Sequence, residues 1–495
     1  MVHLGYSAMR IAGREKELHI LERCFNSGKP EFIAMHGRRR VGKTYLIKQC
    51  FSQKKNTIFF FATGTKDALL EEQIANFTDQ IGSIFLGGIT PQLKKNWNAT
   101  FKILTDAIKN TPKQKKIVLL FDEFPWMSTK NSRLIQSLDY YWNQHWSMDP
   151  RIKLIICGSS ASWIINKIVN NTKGLHNRVT QTIRLEPFNL VETKNFLHSA
   201  GIKLNHKQIT QLYMVMGGIP FYLDKIQKGC SATQLIEELA FQKNSFFISE
   251  FNNLFSSLFE NHADYIDIVT AIADNRYGIS QDKLFQQVPG AIKGIGGLTK
   301  LQALKDAGFI ASFKPHLNKK KGIYYKVIDE FTLFYLYWIK PIHDTLIQSG
   351  LKKGYWDKQH VSPTWKSWSG YAFEAICYKH IFQISDALHL NASAIPTTWR
   401  YIPKKESNEN GAQIDLLFDR DDDAVSLCEI KYTDAPFKID KPYAQKLLNK
   451  IAVFKKKTKT TKQIFLSVIS ANGIQPSMYS EELVTGVVVL DDLFN

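Results

Sequence analysis

What this sequence lacks narrows it first. Its six cysteines, Cys24, Cys50, Cys157, Cys230, Cys377 and Cys428, are scattered and form no Cys-x-x-Cys pair. That argues against structural zinc and a disulfide framework and leaves core packing as the expected role. No stretch approaches the roughly 20 apolar residues that span a bilayer; the longest, Phe331 to Ile339, stops at Lys340. The opening residues, Met-Val-His-Leu-Gly-Tyr, show no basic end followed by an apolar core, so no secretion signal is read and a cytoplasmic location is expected. An amphipathic basic helix and a lipidation motif are also missing, which ranks a membrane surface last among partners. Acidic residues are in short supply, 45 against 64 lysines and arginines, a net charge of +19. That balance attracts polyanions, nucleic acid before others.

What is present is a folded composition: 495 residues, 44% apolar and 22% charged. Such a chain buries real cores and is long enough to divide into about three domains. Glu31-Phe-Ile-Ala-Met-His36 reads as a short buried strand, and Lys43 to Phe51 as a helix with Leu46, Ile47 and Cys50 on its apolar side. Between them lies Gly37-Arg38-Arg39-Arg40-Val41-Gly42-Lys43-Thr44. Strand, Gly-x-x-x-x-Gly-Lys-Thr, helix is the context of a phosphate-binding loop, because glycines let backbone N–H groups wrap phosphate oxygens while the helix N-terminus faces their charge. ATP is the expected ligand, with Lys43 on the β- and γ-phosphates and the Thr44 hydroxyl on Mg2+.

Ile117-Val-Leu-Leu-Phe-Asp-Glu-Phe124 supplies an apolar strand ending in two carboxylates. Asp122 is assigned to the magnesium ion and Glu123 to polarising the attacking water, which favours hydrolysis over passive binding. Lys153-Leu-Ile-Ile-Cys-Gly-Ser-Ser160 reads as another buried strand, with Ser159 as a γ-phosphate sensor. Arg178, in His176-Asn-Arg-Val179, is read either as an arginine finger or as an ordinary surface arginine.

Gly13-Arg14-Glu15-Lys-Glu-Leu18, the Gly37 to Thr44 loop, Phe121-Asp-Glu-Phe124 and Met216-Gly-Gly-Ile-Pro-Phe221 together resemble the archaeal-type ATPase family of AAA-like P-loop proteins. The resemblance implies that Arg14 lies near the nucleotide base, that a helical lid holding the Gly-Gly-x-Pro turn follows the core, and that a winged helix follows the lid. From the residues alone, Gly217-Gly-Ile-Pro220 is a turn signal.

After His262 come apolar helical patterns at Tyr265 to Ile272, Gln281 to Phe285 and Leu298 to Leu304, then strand-like runs Phe309 to Phe313 and Ile323 to Ile328 flanking Asn318-Lys-Lys-Lys-Gly322. Three helices and a hairpin make a winged helix-turn-helix. Lys300, Lys305 and Lys319 to Lys321 are its cations for DNA phosphates; packing on the ATPase core as a spacer is the other reading, since the third helix carries no arginine.

A composition change near Lys352 to Ser362 suggests a boundary. Beyond it a helix at about Trp365 to Phe382 carries Glu374, and Ala412 to Phe418 and Ala424 to Lys431 alternate like strands around the acidic turn Asp419 to Asp423. Glu429 and Lys431, two apart in a strand, share a face. Asp415 followed by Glu429-Ile-Lys431 resembles the PD-(D/E)xK nuclease fold, with Ile414 in place of the proline. That resemblance implies Asp415, Glu429 and Glu374 as ligands of Mg2+ or Mn2+, Lys431 as the residue steadying the attacking water, and Tyr443 to Phe454 as the helix after the core strands. A solvated hairpin face, a salt bridge between Lys431 and the carboxylates, and a nuclease-like fold that binds without cutting remain open.

The fold class expected is α/β, in four parts: an ATPase core at 1–190, a helical lid at 191–258, a winged helix at 259–345 and a nuclease-like domain at 346–495. The leading functional expectation is an ATP-hydrolysing DNA-associated protein. A nucleotide-dependent regulatory switch, with homo-oligomer formation as its output, is the second.

Overall fold

The computed structural model describes residues 12–170, 175, 177–292, 294–314, 322–403 and 410–495. Lys319 to Lys321 and His176 lie outside them. The chain falls into two compact units. One runs to Pro187 and includes Thr299–Gly308; the other holds Phe188–Leu298 and Phe309–Asn495.

The first unit is α/β. Strands β1 (Glu31–His36), β2 (Thr57–Thr63), β3 (Lys116–Asp122), β4 (Ile152–Gly158) and β5 (Gln181–Arg184) form one all-parallel sheet in the order β2-β3-β4-β1-β5. Parallel pairing needs crossovers, so helices cover the faces, and the inner strands are buried almost throughout. β1 and β4 are buried at every position. On one face Phe60, Phe77, Trp97, Phe101, Phe121 and Trp146 pack together, with Phe101 stacked on Phe121 at 6.0 Å between ring centres. Each such pair adds about 0.5–1.5 kcal/mol beyond the area it buries.

In the second unit, helices Leu190–Ser199, His206–Met216, Ala232–Ala240 and Phe246–Leu258 precede a small module. The module holds helices His262–Ala273 and Gln281–Gln287 with an antiparallel sheet of β6 (Ile279–Ser280), β7 (Ile310–Phe313) and β8 (Tyr324–Val327), ordered β6-β8-β7. Between β6 and β7 the chain forms helix Gly294–Asp306, counted from Thr299 with the first unit. β6 has no counterpart in the sequence reading; two residues give no period to detect.

The aromatic passage after Asp329 forms helix Glu330–Phe334 and a π-helical turn at Tyr335–Ile339. Trp338 packs among Trp356, Trp365 and Trp368. The stretch where composition changes, Lys352 to Ser362, is itself anchored: Glu237 accepts from the Trp356 amide at 2.6 Å, and Trp356 stacks on Phe241 at 4.9 Å.

The C-terminal sheet contains β9 (Ile395–Tyr401), β10 (Ala412–Asp419), β11 (Ala424–Lys431), β13 (Gln463–Ser470) and β15 (Gly486–Val489), ordered β15-β13-β11-β10-β9. A separate pair joins β12 (Phe437–Lys438) to β14 (Ile474–Gln475). β9 to β11 run antiparallel, and β11, β13 and β15 run parallel. Helix Lys441–Thr458, an amphipathic basic helix of a kind the sequence reading finds missing, seals one face by packing Leu447 and Phe454 with Trp399, Leu417 and Val468.

Glu330 is the sharpest electrostatic feature of this unit outside the site. It is fully buried and paired with Lys379 at 2.7 Å. Burial pushes its carboxyl above the ordinary value, and Lys379 opposes that rise. A carboxyl whose folded pKa is raised stabilises the fold below its unfolded pKa and loses that contribution as pH climbs through the folded value. Lys379→Met therefore removes the opposing charge, and the variant should lose about 3 kcal/mol near pH 8, because a buried charge loses its partner. Near pH 5 a protonated Glu330 should make the loss much smaller. Urea unfolding at both pH values checks this; equal losses would exclude Glu330 as the group responsible.

Candidate functional site

The nucleotide loop joins β1 to helix Lys43–Phe51. Gly37 has φ 150°, and a Cβ there would meet the Leu185 carbonyl oxygen at 2.2 Å, so only glycine lets the loop leave β1. Gly42 caps the helix at φ 91°. The loop closes on itself: the Lys43 ammonium donates to the carbonyls of Gly37 at 3.0 Å and Arg38 at 3.1 Å. Burial holds Lys43 below its ordinary value, with Glu123 the largest opposing influence. Arg14 donates to the Val41 carbonyl at 3.2 Å, which fixes the Gly-Arg-Glu segment against the loop. Arg39 lies 5.9 Å over the Trp126 ring, Arg38 is buried, and Arg40 has φ 71°.

Asp122 ends β3, and its carboxylate accepts from the Thr44 hydroxyl at 2.8 Å and from the Cys157 thiol at 2.7 Å. A hydroxyl and a carboxylate in direct contact fit a hard divalent cation. Glu123 follows with a left-handed backbone, φ 43°, which breaks the strand and turns its side chain toward β4. There it accepts from the Ser159 amide at 3.0 Å and the Ser159 hydroxyl at 2.5 Å. Lys43, Thr44, Asp122, Glu123 and Ser159 are thus brought together by the carboxyl ends of β1, β3 and β4. Arg178 is exposed, its amide on the Leu175 carbonyl at 3.1 Å. Cys157 was read only as packing; its position one residue before Gly158 on a fully buried strand gave no sign of the Asp122 contact.

The second constellation centres on β10 and β11. The pairing of β9 with β10 shifts register between Ile414 and Leu417, and such an irregularity re-aims the side chain it contains. Asp415 sits there, buried, accepting from the Ile430 amide at 3.3 Å and from Gln413 at 3.2 Å. Tyr378 donates to the Asp415 carbonyl. Glu429 is engaged on both oxygens: Lys431 at 2.8 Å and the Tyr443 hydroxyl at 2.5 Å on Oε1, Lys450 at 2.6 Å on Oε2. Burial pushes Glu429 up, but Lys431 and Lys450 overcome it and hold the carboxyl below its ordinary value. Burial and then Asp415 push Glu374 up to about 7, and burial and then Glu429 raise Asp415.

Among the described residues no group of three carboxylate, imidazole or thiolate side chains is gathered closely enough to hold a metal ion. Asp415 raises the proton affinity of Glu374, as a carboxylate sharing a cation site with it would, whereas the Glu429 oxygens are committed to lysines and a tyrosine. Tyr443 and Lys450 escaped the sequence reading although both lie on the expected helix. Their shared face, one residue seven positions after the other, was the available signal.

Among the described residues no helix is long and apolar enough to cross a membrane. All six cysteines are free, and all but Cys230 are buried.

An uncharacterized protein of Methanocaldococcus jannaschii is 24% identical over 430 residues, covering 85% of this chain and 87% of that protein. An uncharacterized ATP-binding protein of the same organism is 46% identical over 50 residues, 10% of this chain and 85% of its own length. Among solved structures, a Walker-type ATPase of Pyrococcus abyssi aligns with a TM-score of 0.47 and 19% identity, covering 67% of this chain and 98% of that one. The Aeropyrum pernix ORC2 protein aligns with a TM-score of 0.41 and 14% identity, covering 68% and 94%. Residues 11–226, which include the nucleotide loop and both carboxylates at the end of β3, match an ATPase domain predominantly from Archaea.

Proposed function

We propose that this chain binds and hydrolyses ATP and uses nucleotide state to control how two further domains engage DNA. The contact of Thr44 with Asp122, with Glu123 beside it on Ser159, carries the reading. Thr44 and Asp122 would hold Mg2+, which neutralises charge on the phosphates, while Lys43 releases the loop carbonyls to reach them and Glu123 takes a proton from the attacking water. Arg14 supports the base end of the nucleotide. Arg178, being exposed, is available to a neighbouring copy.

In this reading the ATPase core is 1–190 and the helical lid 191–258. Residues 259–345 are a winged helix-turn-helix whose lysines contact DNA phosphates. Residues 346–495 are a nuclease-like domain in which Glu374 and Asp415 would hold Mg2+ or Mn2+. That ion would activate a water toward a phosphodiester. Lys431 orients Glu429, and the basic helix Lys441–Thr458 offers a face to the DNA backbone. The second reading, a nucleotide-dependent switch that binds DNA or a partner without cleavage, is favoured by one observation: both Glu429 oxygens are taken by neighbouring side chains.

One experiment separates these readings. ATP turnover is measured with and without plasmid DNA and Mg2+ or Mn2+ for wild type, Lys43→Ala and Asp415→Ala, with DNA integrity followed in the same tubes. Stimulation by DNA that Lys43→Ala abolishes, with nicking that Asp415→Ala abolishes, is the expected result. Stimulation with intact plasmid selects the non-cleaving switch, and turnover indifferent to DNA sinks the DNA-coupled proposal.

A further inference from the structure

Helix Pro363–Lys379 presents Ser367, Tyr371, Glu374 and Tyr378 at helical spacing, so they line one face. Two cations from the module of β6, β7 and β8 meet that face. On β8, Tyr325 and Val327 are buried, whereas Lys326 points to the opposite side of the strand. Its ammonium lies 5.1 Å from the Tyr371 ring centre and 4.9 Å from that of Tyr378, between the two rings that bracket Glu374. Arg276, in the turn before β6, stands 5.6 Å over Tyr371 and donates to the Ser367 hydroxyl at 3.3 Å. Arg400 of β9 answers from the other side, 4.3 Å over Tyr277.

The acidic charges facing Lys326 are Glu374 and Asp415. Lys431 and Lys450 already pair with Glu429. The site therefore sets three cations, Lys326, Lys431 and Lys450, against three carboxyl groups, Glu374, Asp415 and Glu429. A pocket waiting for a divalent ion would carry an excess of negative charge. Here the balancing charge for Glu374 and Asp415 arrives from a different part of the chain, on a strand that can leave only with its module.

We propose that Lys326, held over the Tyr371 and Tyr378 rings, is a built-in counter-ion for Glu374 and Asp415, so that docking of the β8 module on helix Pro363–Lys379 keeps divalent metal out of the C-terminal site. Loading the site requires lifting β8 from that helix. The proposal rests on the reading of Glu374 and Asp415 as ion-binding carboxylates, and its test is independent of whether the site cuts DNA.

The test is Mn2+ binding to the full chain, followed by electron paramagnetic resonance, for wild type, Lys326→Met, Glu374→Gln and the double variant. Methionine keeps the apolar stem and removes the charge. Lys326→Met should bind Mn2+ on the order of tenfold more tightly than wild type, a coupling of ordinary size between two ligands competing for one pocket. The double variant should lose that gain. Unchanged affinity in Lys326→Met, or a gain that survives Glu374→Gln, overturns the proposal. Should Lys326→Met fold poorly, Arg276→Ala loosens the same contact while leaving Lys326 and both carboxylates in place. It should raise Mn2+ affinity by a smaller factor and speed amide hydrogen exchange in helix Pro363–Lys379; no change in either measurement also overturns it. A gain in Mn2+ binding with intact plasmid would uphold the latch and reject cleavage.

Discussion

Glu123→Gln should lower ATP turnover by about 10²–10⁴-fold, the range expected when a positioned general base is lost. The substitution preserves size, and the glutamine carbonyl can still accept from the Ser159 amide that now binds Glu123 at 3.0 Å. The left-handed turn at φ 43°, which places the side chain beside β4, is a property of the backbone and is retained. In the proposed chemistry phosphate binding belongs instead to the loop and Lys43, so the affinity for ATP should stay within a few-fold. Single-turnover hydrolysis alongside fluorescent-nucleotide titration gives both quantities. Turnover within a few-fold of wild type would remove Glu123 from the chemistry.

The second large effect is on stability and lies at Gly218. A Cβ on this residue would sit 1.8 Å from the Phe188 carbonyl oxygen and 2.6 Å from its carbon, contacts no real Cβ makes. The neighbour cannot step aside, because the Phe188 amide donates to the Gly218 carbonyl at 2.7 Å and the Tyr213 hydroxyl holds the Phe188 oxygen at 2.8 Å. Gly218→Ala should therefore cost about 3 kcal/mol or more, near the upper end of overpacking effects. Gly217→Ala should cost less: a Cβ there meets the Glu330 side chain at 2.7 Å, and a side chain can shift, although φ 61° adds some strain. Denaturant midpoints of the two variants settle the order, and a Gly218→Ala protein as stable as wild type would refute the close approach.

Legibility in the sequence followed local chemistry. β1 and the helix Lys43–Phe51 came out with the boundaries read from strand, loop and apolar side, since glycine spacing and burial are both local signals. Strands β10 and β11 were likewise visible through alternation and the acidic turn between them. Gly217-Gly-Ile-Pro220 was legible as a turn, but its reason was not, because the carbonyl of Phe188 and the carboxylate of Glu330 arrive from distant chain segments. The edge strand β9 and the parallel strands β13 and β15 were not read. Their pairing partners are separated from them in sequence, and short apolar runs do not declare a register. The same limit hid the surroundings of the carboxylates. Glu429 with Lys431 was expected on one face and is found paired, whereas Lys450, Tyr443 and Lys326 reach that region from a helix and a strand that only tertiary structure brings near.

Strand β4 lies between β1 and β3, so the strand carrying the phosphate loop and the strand carrying Asp122 and Glu123 never pair with one another. Beside the direct contact of Thr44 with Asp122, the sheet links them through β4, whose end touches Asp122 through Cys157 and Glu123 through Ser159. In genetic terms, the proposed chemistry makes β4 a third locus of the ATPase: substitutions at Cys157 or Ser159 would behave as active-site alleles although neither residue falls in the loop or in the acidic pair. A strand of ordinary hydrophobic composition thus inherits functional constraint from its rank in the sheet.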